Sequence, residues 1–352
     1  MAQKRKRFDE APSAPVCVTG GSGFLGSWCV KFLLDRGYTV HTTVRSAEKA
    51  AYLRVLPGSD RLKIFEKVDL LDAGAFDAAI MGCDAVLHTA SPFYTKDGSE
   101  DKLVWPAVEG TRNVLTSCRR LGVKKVACTA STANIYINYG TLPADHVYTE
   151  EDWSPEGMLR EKRNWYALSK VMAEKMAWQL SKEEGCPFQL VVLHPTLILG
   201  PMLPGQPHLN TSSSSLIGYV DGSVKEIENG CKTVVDVRDV AMAHIAAIER
   251  GTAWGRRVLL IAGSPHFKEL AGFIRDTLPE EMKGHVPDVV SEKLGPTVLG
   301  APPPNPVLYD AAPSHELLGI EYRSIEEQVK ENVRTMLANG FRSASQYSTS
   351  KL

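Results

Sequence analysis

Apolar positions along this chain alternate between two rhythms. Short, dense apolar runs end at glycine or a polar tip, and longer stretches carry apolar residues at helical spacing. Val16-Cys17-Val18-Thr19 is a dense run that stops at glycines, which predicts a buried parallel strand. Phe24 to Arg36 follows with Phe24, Leu25, Trp28, Phe32 and Leu33 at helical spacing and stops at Gly37, so a helix is predicted there. Tyr38 to Val44 is rich in β-branched residues and predicts a second strand. Ala47 to Leu56 reads as helical, ending before Pro57-Gly58. Leu62 to Val68 gives strand three, Ala75 to Met81 a short helix and Ala85 to Ala90 strand four. Glu100 to Leu121 then reads as a long helix, Val123 to Ala130 as a strand, Arg160 to Glu184 as one long helix and Phe188 to His194 as a strand.

Repeated strand–helix alternation predicts an α/β chain, a Rossmann-like doubly wound parallel sheet with helices on both faces. After Pro195 the texture changes. Pro201 to Ser215 is rich in Gly, Pro and Ser and reads as a loop, Thr233 to Glu249 as strand then helix, and Arg256 to Ala262 as a strand. Pro279 to Pro306 is proline-rich and irregular, and Ser324 to Asn339 is a last amphipathic helix. The expected organisation is a basic flexible tail at 1–14 and a dinucleotide-binding domain at 15–194. A smaller substrate-binding region follows at 195–340, whose segment at about 233–263 returns to the sheet, and then a flexible tail at 341–352.

The glycines carry the first chemical signal. Thr19-Gly20-Gly21-Ser22-Gly23-Phe24-Leu25-Gly26 follows a predicted strand and opens a predicted helix, the context that makes a glycine cluster a dinucleotide site. Gly20 allows the tight turn, Gly23 the approach of pyrophosphate, and Gly26 the packing of helix on strand. Phe24, Leu25 and Gly26 open the helix whose free N–H groups face the phosphates. The tip of strand two decides between nicotinamide cofactors, because a carboxylate there binds the ribose 2′-OH. This chain has no carboxylate at that tip and carries Arg45 instead, with Lys49 one turn on. A guanidinium pairs bidentately with phosphate oxygens, so NADPH is expected. Asp69 and Leu70 after strand three are expected beside the adenine, and Thr89, Ala90 and Ser91 after strand four along the ribose.

Tyr166 and Lys170 are four residues apart and share a face if helical. A nearby ammonium is expected to favour the phenolate and lower the tyrosine pKa. Tyr166 would then be the proton donor to a carbonyl oxygen, and Lys170 would also hold the nicotinamide ribose. A second Tyr–Lys pair of this spacing, Tyr347 and Lys351, has no helix signal around it. Ser131, just past strand five, is expected to bond the substrate carbonyl, with Thr129 and Thr132 as competitors. Tyr136, Phe93-Tyr94 and part of the loop from Met202 to Ser215 are expected to line the substrate pocket beside Ser91, Ser131 and Tyr166.

Composition narrows the class without changing the picture. The 352 residues are 43% hydrophobic and 23% charged, with a net charge of -1, which gives no electrostatic case for nucleic acid or an anionic membrane. No apolar run approaches the roughly 20 residues of a membrane span. The seven cysteines are scattered, with no CxxC pair, so neither a metal site nor a disulfide framework is expected. Lys4 to Arg7 reads as part of a solvated tail, or as a nuclear-import cluster. Ser350-Lys351-Leu352 has the form of a peroxisomal address, which makes an import receptor an expected partner and the peroxisome the expected location, with the cytoplasm as the alternative. A monomer or homodimer is expected.

Together these residues resemble the extended short-chain dehydrogenases, and among them the dihydroflavonol 4-reductase and cinnamoyl-CoA reductase group. The resemblance runs from about Val16 to about Gly340. The family's TGxxGxxG motif matches Thr19 to Gly26, and its Ser–Tyr–Lys set matches Ser131, Tyr166 and Lys170. Asn164-Trp165-Tyr166 looks like the helix start of the cinnamoyl-CoA reductases, although Ala167, Leu168 and Ser169 depart from their signature. The segment from His194 to Pro201 is similar to the one whose backbone holds the nicotinamide, which implies cofactor contacts at Pro195, Thr196 and Leu197. Val235 to Val240 resembles a segment that the group carries after its substrate loop. Flavonoid reductases of this kind carry an asparagine where this chain has Tyr136, so the resemblance implies an aldehyde, ketone or acyl thioester substrate rather than a flavonoid. Two other functions share the fold: an NAD-dependent nucleotide-sugar epimerase or dehydratase, which Arg45 disfavours, and a non-enzymatic NADP-binding regulator, which has no use for the Ser–Tyr–Lys set.

A fluorescent protein fused to the N-terminus should collect in punctate organelles, and removal of Ser350-Lys351-Leu352 should make the signal diffuse. A diffuse signal with the three residues intact rules the address out.

Overall fold

A computed structural model describes residues 14–91, 99–143, 145–294 and 306–343. Phe93-Tyr94, Lys4 to Arg7, Tyr347 and Ser350-Lys351-Leu352 lie outside the described residues. Seven strands form the central sheet: β1 (Val16–Thr19), β2 (Val40–Thr43), β3 (Leu62–Phe65), β4 (Ala85–His88), β5 (Lys125–Thr129), β6 (Gln189–Pro195) and, later in the chain, Arg257–Leu260. Three short strands come before that last one, β7 (Leu197–Leu199), β8 (Ile227–Asn229) and β9 (Val234–Asp236), so it is β10; β11 is Val290–Leu294. The sheet order is β3-β2-β1-β4-β5-β6-β10, and every pair is parallel. Outside it β7 pairs with β9 and β8 with β11.

The central strands are largely buried because both faces are covered, while β3 at the sheet edge carries the exposed Lys63. Side chains alternate across the sheet, so neighbours in sequence enter different cores. Val18, Ala127 and Val191 belong to one core, while Cys17, Val126 and Val192 belong to the other. Helix α1 (Phe24–Asp35) lines the first of these layers; α2 (Asp77–Ile80) and α3 (Glu100–Arg120) help to build the second. After α4 (Glu156–Glu161), α5 (Trp165–Ser181) packs along α3. The later region adds α6 (Thr211–Ser214), α7 (Ile217–Val220), α8 (Val237–Arg250), α9 (Phe267–Thr277), α10 (Ala312–Leu318) and α11 (Ile325–Ala338). Helix α8 returns to lie against α1. Trp28 on α1 donates its indole N–H to the Pro201 carbonyl at 2.8 Å, which ties the start of the later region to the first helix.

Four predicted elements differ. The loop expected over Pro201 to Ser215 contains α6, Thr211–Ser214. The single helix expected over Arg160 to Glu184 is two, α4 and α5. Arg163 adopts a left-handed φ of 53°, and Asn164 starts a new helix by accepting from the Ala167 N–H at 3.2 Å. Five polar residues, Arg160 to Asn164, interrupt the apolar spacing at the break, and Tyr166 ends up in the first turn of α5. The helix expected over Ala47 to Leu56 is a 3₁₀ segment, Glu48–Val55. The stretch from Pro279 to Pro306 contains a 3₁₀ turn, Glu280–His285, and β11, so it is more regular than its prolines suggest.

Candidate active site

Because the strands run one way, their carboxyl ends gather at one edge, and the loops leaving them build the site. Gly20 turns with φ at 71°, and a Cβ there would lie 3.1 Å from Ala90 Cα, so the loop after β1 presses against the loop after β4. A Cβ on Gly26 would come 2.4 Å from the Gly20 carbonyl, and one on Gly21 would come 1.9 Å from Thr42 Oγ1. Gly21 is therefore as constrained as the motif glycines, a requirement the motif spacing does not advertise. Gly23 is exposed and caps α1 with no side-chain hydrogen bond, so the helix start presents its N–H groups outward. This cradle fits a pyrophosphate. Tyr52 donates to the Ser22 carbonyl at 3.1 Å and braces the loop from outside.

The tips of β1 and β4 are laced together. Thr89 Oγ1 donates to the Thr19 carbonyl at 2.6 Å, and the Ala90 N–H donates to Thr19 Oγ1 at 3.1 Å. Thr19 Oγ1 also meets His88 Nδ1 at 2.9 Å. Burial pushes His88 down to about 4, with the Lys170 charge adding to the effect, so this imidazole is neutral at physiological pH. Arg45 lies exposed two residues beyond β2, and among the described residues no side chain pairs with it. Lys49 is half-buried, close enough to His208 to help lower that imidazole after burial has done so. Asp69 is exposed and accepts from the Leu71 N–H at 2.9 Å, while Leu70 packs on Gly110, where a Cβ would come 2.3 Å from Leu70 Cγ.

The catalytic candidates and Ser91 converge from two loops and one helix. Lys170 Nζ donates to Ser91 Oγ at 2.6 Å and lies 5.7 Å from the centre of the Tyr166 ring. The Tyr166 hydroxyl is hydrogen-bonded to Ser131. Ser131 Oγ also accepts from the Ala133 N–H at 3.1 Å and so opens the 3₁₀ turn Thr132–Asn134. The competing hydroxyls are elsewhere: Thr129 Oγ1 contacts His244 Nε2 at 2.7 Å, and Thr132 is buried. The expected depression of the tyrosine is corrected by the structure. Burial raises the Tyr166 pKa above its ordinary value, the Ser131 hydrogen bond offsets part of this, and Tyr136 adds to the rise. Desolvation outweighs the nearby ammonium, and the same burial lowers Lys170 to about 8.

Pro195 ends β6 and Thr196 follows it, its hydroxyl donating to the Thr233 carbonyl at 3.0 Å; Leu197 begins β7. The Tyr136 hydroxyl lies 3.2 Å from Thr196 Oγ1 and 2.9 Å from Thr233 Oγ1, and the residue is 5% exposed. Its polar end thus braces the segment after β6, and its ring meets Tyr148 edge-on. Sequence reading also missed a polar network under α5, made of Asn134, Glu174, His194 and Arg257. The one available signal was His194, a polar residue closing the apolar run from Leu190. A cavity of about 570 Å³, lined by Trp153, Trp178, Trp254, Arg256 and Arg257 among others, opens where β6 and β10 begin, beside this network and at the opposite end of the strands from the glycine loop. Among the described residues no group of three His, Cys, Asp or Glu could hold a metal ion.

The NAD dependent epimerase/dehydratase family model matches residues 16–262. The chain is 36% identical to a cinnamoyl-CoA reductase of Medicago truncatula over 93% of its own length and 96% of that protein. It is 37% identical to cinnamoyl-CoA reductase 1 of Arabidopsis thaliana over 92% of its length and 90% of that protein. Its fold matches the yeast methylglyoxal/isovaleraldehyde reductase solved with NADPH, with a TM-score of 0.79 and 27% identity over 93% of this chain and 99% of that one.

Arg45→Ala should weaken NADPH by about one to two decades and leave NADH nearly unchanged, the worth of a charge-assisted contact to a phosphate. Dissociation constants from nicotinamide fluorescence check this, and equal loss for both cofactors would make Arg45 a structural residue. The direction of the Lys170 shift predicts a second outcome. Its ammonium is charged below about 8 and neutral above, so kcat/KM for reduction should fall as pH rises through that value. Lys170→Arg should remove this limb, whatever rate remains, because a guanidinium stays charged. A limb unmoved by that substitution belongs to another group.

Proposed function

The chain belongs to the NAD-dependent epimerase/dehydratase family, as an extended short-chain dehydrogenase/reductase of the cinnamoyl-CoA reductase-like group, and on that premise we propose that it reduces a carbonyl compound with Tyr166 delivering the proton. It is an NADP-dependent oxidoreductase. One observation carries the finer reading: an unbroken line of contacts from the glycine loop to a hydroxyl pair. Gly20 lies against Ala90, Ser91 bonds Lys170, Lys170 faces the Tyr166 ring, and Tyr166 bonds Ser131.

Bound NADPH supplies a hydride to the carbonyl carbon. The glycine loop and the start of α1 hold the pyrophosphate, Arg45 and Lys49 take the 2′-phosphate, and Lys170 takes the nicotinamide ribose. Ser131 bonds the substrate oxygen and fixes its direction. Tyr166 gives its proton to that oxygen as negative charge builds there. A phenol kept protonated by burial is in the right state for this step. The uncommitted charge of Arg45 favours NADPH over the NAD of an epimerase. The relatives' names include a thioester, cinnamoyl-CoA, the aldehydes methylglyoxal and isovaleraldehyde, and a flavonoid, anthocyanidin. The substrate proposed here is accordingly an aldehyde, ketone or acyl thioester, and Tyr136 in place of an asparagine weighs against a flavonoid.

Tyr166→Phe removes one hydroxyl and keeps the ring. Turnover should fall by about 10²- to 10⁴-fold, the usual share of a general acid, while the NADPH dissociation constant stays within about threefold. Nicotinamide absorbance with a panel of methylglyoxal, isovaleraldehyde and cinnamoyl-CoA reads both substrate and rate. A mutant retaining more than about a tenth of the wild-type rate shows that another group supplies the proton.

A further inference from the structure

We propose that Asn134 and Glu174 are positioning residues, which lock the Lys170 turn of α5 to the Ser131 turn by a hydrogen bond from Asn134 Nδ2 to the Lys170 carbonyl. The proposal rests on the reductase reading above and extends it to residues that touch neither substrate nor cofactor.

Asn134 closes the 3₁₀ turn that Ser131 opens. Its Nδ2 donates to the Lys170 carbonyl at 3.1 Å and to Glu174 Oε2 at 2.6 Å. Its Oδ1 is buried with no hydrogen-bond partner, so the amide acts here as a donor only. Lys170 and Glu174 are one turn apart on α5, so both of Asn134's bonds grip the same turn of the helix. Tyr166 lies one turn before Lys170 on the same helix. The three catalytic candidates are thereby set at fixed distances by one amide side chain.

Glu174 holds that amide in place. Its side chain is fully buried. Oε1 accepts from Trp178 Nε1 at 3.0 Å and Arg257 Nε at 2.6 Å; Oε2 accepts from His194 Nε2 at 2.8 Å and a terminal nitrogen of Arg257 at 3.1 Å. Burial alone would raise this carboxyl, but His194 and Arg257 outweigh it and hold the group below the usual carboxylate range. An ionised carboxylate has only acceptors to offer, so every neighbour must donate, and the Asn134 amide is oriented nitrogen-inward. Arg257 is itself fixed, donating to the Glu150 and Asp152 carbonyls at 2.6 and 2.7 Å, with its guanidinium 3.7 Å from the centre of the Trp153 ring. His194 immediately precedes Pro195. The network therefore joins α5, β6, β10 and the Ser131 turn at one buried point.

The test uses the full chain with Asn134→Ala, and three measurements. The first is steady-state reduction of whichever panel carbonyl the wild type turns over. The second is NADPH dissociation by nicotinamide fluorescence. The third is the Lys170 pKa, from the pH dependence of its labelling by an amine-reactive reagent without cofactor, read by mass spectrometry. Expected are a fall in kcat approaching 10²-fold, the cost of about 1 Å of misplacement, with KM and the NADPH constant within about threefold. The Lys170 pKa should move from about 8 toward the value of a free lysine as its turn loosens. Unchanged kcat with unchanged Lys170 titration overturns the proposal. So does a loss of thermal stability with kcat falling in proportion and Lys170 titrating as in the wild type, which is what a merely structural role gives. If Asn134→Ala does not fold, Glu174→Gln is read by the same three measurements and the same criteria. A wild-type protein that reduces no carbonyl on the panel counts against the reductase reading alone, because the Lys170 titration still tests the lock.

Discussion

A parallel sheet in which the chain runs outward in one direction and then in the other leaves a crevice at the reversal. Here β1, β2 and β3 step one way, and β4, β5 and β6 step the other. The loops after β1 and β4 diverge from adjacent strands, and everything the site does depends on keeping that divergence narrow. The chain achieves this with backbone contact and short polar side chains. Gly20 sits on Ala90, and the Thr19 hydroxyl serves both the Ala90 N–H and His88. A larger residue at Gly20 would drive the two loops apart, and one at Gly26 would push α1 off the loop after β1; either would disturb the crevice. The later region is tied to the same layer, since Trp28 of α1 bonds the Pro201 carbonyl.

The second requirement is that the helix carrying Tyr166 and Lys170 be fixed along its length and not only packed. Apolar packing of α5 on α3 sets its distance from the sheet but resists sliding poorly, because such contacts are non-directional. The buried Glu174 supplies direction. A carboxylate fully removed from water must be met on all sides, and its partners come from two strands, one turn and its own helix. At the other end, Asn164 caps α5 and donates from Nδ2 to the Tyr139 hydroxyl at 2.9 Å. Tyr166 lies between these two anchors, two residues after the cap.

Much of this was legible in the sequence, and the reason is local. The strands are dense apolar runs, and the glycine loop, the Arg45 tip and the Tyr166–Lys170 spacing each lie within a few residues. The break between α4 and α5 is marked in the sequence only by the polar run Arg160 to Asn164, and the left-handed Arg163 that makes it is not legible there. The Asn134–Glu174–His194–Arg257 network spans 124 positions and is joined only by folding. A Glu in a helix and an Arg at a strand start are the commonest of surface residues, so nothing marked them as buried. Gly21 was missed for a similar reason, since what forbids a side chain there is Thr42 on the neighbouring strand.

The sign of the tyrosine shift was also misjudged from sequence, and the misjudgement is instructive. Spacing reveals that a cation is near but not how much water is lost with it. In the folded site both groups lose water, and desolvation favours the neutral form of each: phenol for Tyr166, amine for Lys170. The two effects act oppositely on catalysis. A neutral phenol is the acid that reduction needs, whereas oxidation of an alcohol would need the phenolate as base. A lysine poised at about 8 remains mostly charged at neutral pH, so it can still hold a ribose hydroxyl. Below about pH 8 the site thus combines a protonated phenol with a charged lysine, which follows from the two shifts. Ser131 limits how far the first shift goes, since its hydrogen bond to Tyr166 favours the phenolate and so eases departure of the proton. The burial that raises the tyrosine and the hydroxyl that restrains it act on the same oxygen, and for the proposed reduction their balance suits Tyr166 to giving a proton rather than taking one.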